Sequence, residues 1–249
     1  MSIAHLMARF EIKAFVRDDM IPQIVEYILP HVELDSHVKD KKSQGYVVRT
    51  LYYDTQDLDY YWEKLDGLEV RKKIRIRVYN EFKDRNIGFV EIKRRYDKVI
   101  VKERSKLPFS FIRRVLAEPE KDWLRSKVVE HDGLVLGKFL YNIHRKDLRP
   151  TLLVVYDRKA FQGIEDPKER LTIDSNVRVR GFPEFCDIYD VDDLEPITKN
   201  RSILELKFDN AMPRWMRLMM THFHIRVESI SKYCMGVEAT VIAHNGRGN

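Results

Sequence analysis

The chain has 249 residues, of which 44% are hydrophobic and 34% are charged, and its formal net charge is +6. This hydrophobic content is enough for a folded core and argues against wholesale disorder, while two cysteines exclude a disulfide scaffold and an all-cysteine metal site. No apolar run is long enough to span a bilayer, and the N-terminal segment is too soon charged for a signal peptide, so the sequence predicts a cytoplasmic protein.

Hydrophobic periodicity predicts mostly strands in the first hundred residues. Strands are predicted over residues 8–17, 45–54, 68–80, 87–96 and 98–104. The last two strands are expected to form a hairpin around Asp97. Helices are predicted over residues 18–30 and 57–65, and a polar, lysine-rich loop over residues 33–44.

The second half of the chain alternates between helical and strand patterns. Apolar residues at three- and four-residue steps predict two or three helices over 108–146 and further helix over 212–244. Strands are predicted over residues 150–161, 169–174, 177–182 and 201–209. We find no internal repeat or flexible linker, so residues 1–249 are interpreted as a single domain with a frayed tail at 245–249. The tryptophans Trp62, Trp123 and Trp215 are expected in the core.

Several predicted strands share a pattern in which polar or charged residues are spaced i, i+2 while apolar residues occupy the positions between them. Residues with this spacing project from the same face of a sheet. The residues on these charged faces are Glu11 and Lys13; Arg75 and Arg77; Glu91 and Lys93; Lys102 and Arg104; Tyr156 and Arg158; Arg170, Thr172 and Asp174; and Glu205 and Lys207.

Two arrangements of such strands are open. The charged faces can look outward to water, as in many antiparallel sheets, or the strands can close into a barrel with the charges lining its lumen. We favour the second arrangement because the amphipathic helices need an apolar partner and because arginine dominates the charged faces. The predicted fold is therefore α+β, an antiparallel β-barrel with a charged lumen and helices packed around the outside. A lumen so rich in cations implies a polyanionic ligand, and its few carboxylates suit a divalent metal.

Eight short motifs follow one another along nearly the whole chain. They are RFEIK at 9–13, LYYDT at 51–55, RIR at 75–77, EIKRR at 91–95, VYDRKAF at 155–161, RLTID at 170–174, LELKF at 204–208 and SKYCMG at 231–236. In this order and spacing, the motifs resemble the VTC-type polyphosphate polymerase domain of the triphosphate tunnel metalloenzyme superfamily.

The resemblance implies a basic tunnel in which ATP and inorganic polyphosphate or triphosphate bind, and a metal-dependent transfer of the ATP γ-phosphoryl group to the growing polyphosphate chain. Carried over by motif, the catalytic residues are Arg75, Arg77, Lys93, Arg158 and Glu205. The implied substrate-binding residues are Lys13, Lys102, Tyr156, Arg170, Lys207, Ser231 and Lys232. Glu205 is the implied ligand of Mn²⁺, with Mg²⁺ as the alternative. Glu11 and Glu91 are further candidate ligands, for which pairing with neighbouring cations is preferred.

The sequence departs from the family pattern at two positions. Arg9 stands where the thiamine-triphosphatase and class IV cyclase branch has the first glutamate of Glu-x-Glu-x-Lys, which favours the polymerase branch. Ser229 stands where fungal polymerase domains carry a lysine, which puts one phosphate contact in doubt. The SPX domain and membrane spans of fungal relatives are not found, so the chain resembles stand-alone bacterial members, for which a separate membrane partner stays open.

Two other functions remain alternatives to polymerisation. One is a metal-dependent triphosphatase that hydrolyses triphosphate or a nucleoside triphosphate, and the other is a non-catalytic polyphosphate-binding module. Nucleic acid is not expected as a partner, because the sequence offers neither an exposed aromatic stacking platform nor a recognition-helix signature.

Overall fold

The computed structural model describes residues 9–35, 38, 45–83, 86–97, 99–118 and 130–242. The chain packs as two compact units. Unit 1 comprises the described residues of Met1–Tyr46, Tyr156–Val177 and Thr198–Ser231, and unit 2 those of Val47–Val155, Arg178–Ile197 and Lys232–Asn249. The interpretation of residues 1–249 as one domain stays a prediction, and the expected frayed tail lies outside the described residues.

The described strands form one hydrogen-bonded path. They are β1 (Arg9–Arg17), β2 (Val32–Leu34), β3 (Tyr46–Asp54), β4 (Val70–Tyr79), β5 (Ile87–Tyr96), β6 (Val99–Pro108), β7 (Arg149–Gly163), β8 (Arg170–Gly181), β9 (Glu195–Pro196) and β10 (Arg201–Asp209). Their order is β1-β10-β8-β7-β3-β4-β5-β6, with β2 on β7 and β9 on β8. The β5–β6 pair is antiparallel and joins Tyr96 to Val99 across the hairpin that the sequence predicts.

The described helices connect these strands. They are α1 (Ile21–Ile28), α2 (Asp59–Leu65), α3 (Phe109–Ala117), α4 (Glu130–Lys146), α5 (Arg214–His222) and α6 (Lys232–Gly236), which continues as a π-helix over Val237–Ile242. Short 3₁₀ helices cover Asp18–Met20 and Phe185–Tyr189. Within the described ranges, none of the helices combines the length and the apolar character needed to cross a membrane.

In unit 1, two helices cover the apolar face of the strands. The core combines Ile24 of α1 and Met216 of α5 with Leu171 of β8 and Leu204 and Leu206 of β10. Because side chains alternate along a strand, the residues between these leucines project from the opposite face. The charged residues of β8 and β10 therefore lie on the face turned away from this helix-covered core.

Unit 2 has the same design. Ile74 and Ile76 of β4 are fully buried and belong to one cluster with Ile112 of α3 and Leu136 and Phe139 of α4. The arginines between the isoleucines project to the other face. The predicted fold class is thus confirmed, because the protein is α+β and its antiparallel sheet carries helices on the apolar face and charges on the opposite one.

Two predicted boundaries in the strands are wrong. Part of the segment predicted as a loop forms β2, in which Val32 and Leu34 pair with Gly163 and Phe161 of β7. The two strands predicted over 169–174 and 177–182 are one continuous strand, β8. Asn176 has a φ of 52°, which asparagine tolerates better than most residues, so the strand continues through this residue without ending.

The helical prediction over 212–244 is also too long, since residues 223–231 are not helical. Helix α5 ends because His224 has a φ of 52° and the N–H of Ile225 bonds to the carbonyl of Met220 at 2.9 Å, a Schellman-type C-terminal cap. Among the tryptophans, Trp215 packs in the core, whereas Trp62 is 49% exposed and its prediction as a core residue is wrong. Trp123 lies outside the described residues.

Candidate functional site

Strand register brings the predicted residues of unit 1 onto one face. Across β1, β10 and β8, Lys13 lies opposite Glu205 and Glu205 opposite Thr172, while the next row joins Glu11, Lys207 and Arg170. Directly opposed residues of antiparallel strands share a face. We call these six residues the charged face of unit 1: Glu11, Lys13, Thr172, Arg170, Glu205 and Lys207.

Four of these residues form a Glu–Lys quartet. The Glu205 carboxylate lies 2.5 Å from Lys207 Nζ and 3.8 Å from Lys13 Nζ, and Glu11 lies 2.9 Å from Lys13 Nζ and 3.6 Å from Lys207 Nζ. The whole Glu205 residue is 6% exposed. Each carboxylate thus touches two ammonium groups, and the quartet balances its own charge.

Arg158 is held by a fully buried partner. Its Nε and Nη2 donate to the two carboxylate oxygens of Asp174 at 2.6 and 2.8 Å, and its guanidinium lies 5.2 Å from the Tyr156 ring centroid. Burial alone would lower the pKa of Arg158, but the charge of Asp174, helped by Tyr156 and Glu205, raises it well above its ordinary value. Asp174 therefore orients Arg158.

The second arginine of this region also has a carboxylate partner, which sequence reasoning missed. The Arg170 guanidinium donates to Asp35, a buried residue whose own N–H bonds to the carbonyl of Ala160 at 2.9 Å. Asp35 lies in the segment predicted as a polar loop, where nothing in the local pattern signals burial.

In unit 2, the register of strands β3 to β6 aligns polar and charged side chains in rows. One row joins Tyr52 of β3, Arg75 of β4, Glu91 of β5 and Arg104 of β6, and the next joins Lys73, Lys93 and Lys102. Arg77 lies opposite Thr50, whose hydroxyl accepts from its Nε at 3.1 Å. We call this set the charged face of unit 2: Thr50, Tyr52, Lys73, Arg75, Arg77, Glu91, Lys93, Lys102 and Arg104.

Glu91 lies at the centre of this face and is 1% exposed. Its carboxylate is 2.7 Å from Arg75 Nε, 2.6 Å from Lys102 Nζ and 3.3 Å from Arg104 Nε. Burial alone would raise the pKa of Glu91, but the charges of the surrounding cations hold it well below its usual range. In this structure Glu91 is an ion-pair partner, the role preferred for it over metal ligation.

Tyr52 is a member of this face that sequence reasoning missed. Arg75 Nη1 donates to its hydroxyl oxygen at 3.3 Å. Burial would raise the pKa of Tyr52, but the charges of Arg75, Arg77 and Lys73 lower it to about 8. The available signal was the i, i+2 spacing of Thr50, Tyr52 and Asp54, which a search for charged pairs passes over because the first two are neutral.

Helix α6 of unit 2 is hydrogen-bonded to the end of strand β3 through one buried carboxylate. The Tyr233 hydroxyl donates to Asp54, which also accepts the N–H groups of Tyr60 and Tyr61 at 2.9 and 3.1 Å. The Tyr233 ring centroid lies 5.0 Å from that of Tyr52. These contacts position the start of α6, where Lys232 is the first residue and Ser231 directly precedes it.

Glu205 offers one carboxylate to a hard divalent ion, which would have to complete its shell elsewhere. Within the described ranges there is no group of three or more His, Cys, Asp or Glu side chains that could hold a metal. An ion at Glu205 would take its other ligands largely from phosphate oxygens and water, an all-oxygen shell that suits Mn²⁺ or Mg²⁺.

Known proteins share sequence with this chain. The sequence profile described as "VTC domain" matches residues 8–241. The vacuolar transporter chaperone complex subunit 4 of Schizosaccharomyces pombe is 27% identical, over 90% of this chain and 36% of the relative. The chain thus spans about a third of the length of that curated relative.

Two solved structures share the fold. A candidate adenylate cyclase from Bacillus halodurans superposes with a TM-score of 0.50 at 11% identity, covering 90% of this chain and 96% of the other. A candidate adenylyl cyclase from Hippeastrum, whose title reports a dominant triphosphatase activity, gives 0.50 at 12% identity, covering 92% and 95%. At such identities the likeness shows the fold alone.

Proposed function

The chain belongs to the VTC domain family, and we propose that it is a polyphosphate polymerase that transfers the γ-phosphoryl group of ATP to a growing inorganic chain. The observation that carries this proposal is the row formed by Lys73, Lys93 and Lys102 on three adjacent strands. Like charges directly opposite one another are unfavourable in a sheet. Such a row concentrates positive charge on one face of the sheet, which favours an anionic ligand.

The types of cation support phosphate as that ligand. Arg75 and Arg77 project from the same face of β4, and guanidinium forks bind phosphate oxygens through paired hydrogen bonds. The lysines add compact point charges. In unit 1, Lys13, Arg170 and Lys207 repeat this chemistry, and we assign the binding of phosphates to both charged faces.

In the proposed reaction, a terminal oxygen of polyphosphate attacks the γ-phosphorus of ATP. The new O–P bond forms as the bond from the γ-phosphorus to the β–γ bridging oxygen breaks, and ADP leaves. The attacking oxygen is already an anion, so no side chain needs to act as a general base. The barrier consists of charge repulsion and positioning, which fixed cations lower.

We assign the individual residues by the family motifs and by their positions. Arg75, Arg77, Lys93 and Arg158 hold the reacting phosphates, while Lys13, Lys102, Arg170, Lys207, Ser231 and Lys232 hold the rest of the substrate. The Tyr156 hydroxyl is a further donor to a phosphate oxygen. Asp174 keeps the Arg158 guanidinium in one orientation through its two hydrogen bonds.

Glu205 would hold the divalent cation, Mn²⁺ or alternatively Mg²⁺. When bound, the ion would neutralise charge on the transferring phosphoryl group. The Glu205 carboxylate lies 2.5 Å from Lys207 Nζ, so an ion held there would compete with that ion pair. We also propose a cytoplasmic setting, where ATP is available.

Hydrolysis is the alternative with a specific observation behind it, because a protein of the same fold is described as a triphosphatase. In that reaction water replaces polyphosphate as the acceptor. Incubation of the purified chain with ATP and Mn²⁺, followed by separate assays, distinguishes the two. Long polyphosphate with ADP supports the polymerase, orthophosphate alone supports the hydrolase, and binding of polyphosphate without turnover indicates a binding module.

A further inference from the structure

One buried polar atom of unit 1 has no role in the fold or in the reaction described above. Thr172 is 6% exposed, and its hydroxyl has no hydrogen-bond partner among the residues that the structure describes. A buried hydroxyl left without a partner is unfavourable. Valine has the same shape and a high strand propensity, so neither packing nor strand formation explains a hydroxyl here.

The position of Thr172 beside Glu205 indicates a role for its hydroxyl. Thr172 lies directly opposite Glu205 in the β8–β10 ladder, so the two side chains leave the same face with their Cβ atoms about 4.5–5.5 Å apart. On the other side of Glu205, the directly opposed residue is Lys13. Thr172 is thus the neutral oxygen donor directly opposed to the proposed metal-binding carboxylate.

We infer that the Thr172 hydroxyl is a second protein ligand of the divalent ion held by Glu205. The inference rests on the proposed function, which places that ion at Glu205. Hard cations accept neutral oxygens beside carboxylates, and a serine or threonine hydroxyl binds Mg²⁺ in phosphate-binding loops. The bound ion gives the hydroxyl oxygen the partner that it lacks.

Titration of the chain with Mn²⁺ alone tests, independently of turnover, whether Thr172 is a ligand of the ion. The free Mn²⁺ is measured by electron paramagnetic resonance. We expect Thr172→Val to weaken Mn²⁺ binding about tenfold and Thr172→Ser, which keeps the hydroxyl, to bind within about twofold of the parent chain. Because the substitution removes an unpartnered polar group, the melting temperature of Thr172→Val should be unchanged or higher.

Ser105 supplies a matched control. Its hydroxyl is also buried without a partner in the described part of the chain, but it lies opposite Val90 on the apolar side of unit 2. Ser105→Ala should leave Mn²⁺ binding unchanged. A loss of affinity equal to that of Thr172→Val would overturn the inference, because it would reflect a general response to removing a buried hydroxyl.

Glu205→Gln separates failure of this inference from failure of its premise. If Glu205→Gln loses Mn²⁺ binding while Thr172→Val retains it, the ion is at Glu205 and Thr172 is not its ligand. If Glu205→Gln binds Mn²⁺ normally, the metal assignment in the proposed function is wrong and the inference is overturned with it. Loss in both variants, with binding kept in Thr172→Ser, supports the inference.

Discussion

Glu91 is buried in unit 2 and lies within 3.3 Å of a nitrogen atom of Arg75, Lys102 and Arg104. Burying a lone carboxylate is costly, so these contacts are required to keep it ionised. The side chains of Lys102 and Arg104 are 43% and 40% exposed, and solvent therefore screens part of the attraction. The carboxylate holds the cations in place on the face that we assign to phosphate.

We expect Glu91→Gln to lower the free energy of unfolding by about 1–3 kcal/mol at pH 7, since the cations lose their counter-charge. Because the pKa of Glu91 is depressed in the folded state, its contribution is present above about pH 4.3 and is lost as the pH falls toward the lower folded value. Urea titrations at several pH values measure this. Asp19→Asn, in an exposed pair with Arg17, is the control and should change little.

We expect Tyr52 to make phosphate binding sensitive to alkaline pH. With its pKa lowered to about 8, the phenol becomes a phenolate above that pH and competes with phosphate for Arg75. If bound tripolyphosphate returns this pKa to about 10, linkage predicts an affinity roughly tenfold weaker at pH 9 than at pH 7. Calorimetric titration of tripolyphosphate at the two pH values measures the fall.

The corresponding variants test the source of that pH dependence. Tyr52→Phe should abolish most of the fall in affinity between pH 7 and pH 9. Tyr53→Phe is the control and should show the same fall in affinity as the parent chain. Tyr53 packs in the apolar core, where its ring centroid lies 5.4 Å from that of Phe139. An unchanged pH profile in Tyr52→Phe would show that another group titrates.

Strand β4 places its arginines and its buried isoleucines on opposite faces. We expect Arg75→Ala and Arg77→Ala each to weaken tripolyphosphate binding, while Ile76→Ala lowers the free energy of unfolding by roughly 2–5 kcal/mol and leaves affinity near normal. Calorimetry and urea unfolding on the same preparations measure both effects. Our assignment of the faces fails if Ile76→Ala folds but does not bind and the arginine variants bind normally.

The strands were largely predictable, because alternation is a local property of the sequence. The predicted strands at 87–96 and 201–209 match β5 and β10 in both bounds. The unbroken β8 and the end of α5 were not predictable, since they depend on single residues, Asn176 and His224, in a left-handed conformation.

The candidate site was predictable only in part. The i, i+2 pairs showed which side chains share a face of one strand, and this included Arg75, Lys93 and Glu205. The partners of those side chains depend on the register between strands that are far apart in the sequence. For this reason the pairing of Arg170 with Asp35 and the place of Tyr52 beside Arg75 emerged only from the structure.

At the scale of the whole molecule, the net charge of +6 understates the local concentration of cations on the two charged faces. A ligand that binds only the folded protein stabilises it, by about 2.7 kcal/mol at 100 times its dissociation constant. We therefore expect tripolyphosphate to raise the melting temperature strongly and sulfate at equal ionic strength to do much less. Equal shifts for the two anions in thermal melts would argue against a dedicated polyphosphate site.

The proposed reaction transfers the γ-phosphoryl group of ATP to polyphosphate and not to water. The most direct measurement is the amount of phosphate recovered in acid-insoluble polymer for each ADP formed, with γ-labelled ATP, Mn²⁺ and a short polyphosphate primer. The polymerase predicts a ratio close to one, with little labelled orthophosphate and with the label lost from both products in Glu205→Gln. A ratio near zero, with every labelled phosphate released as orthophosphate, would contradict it.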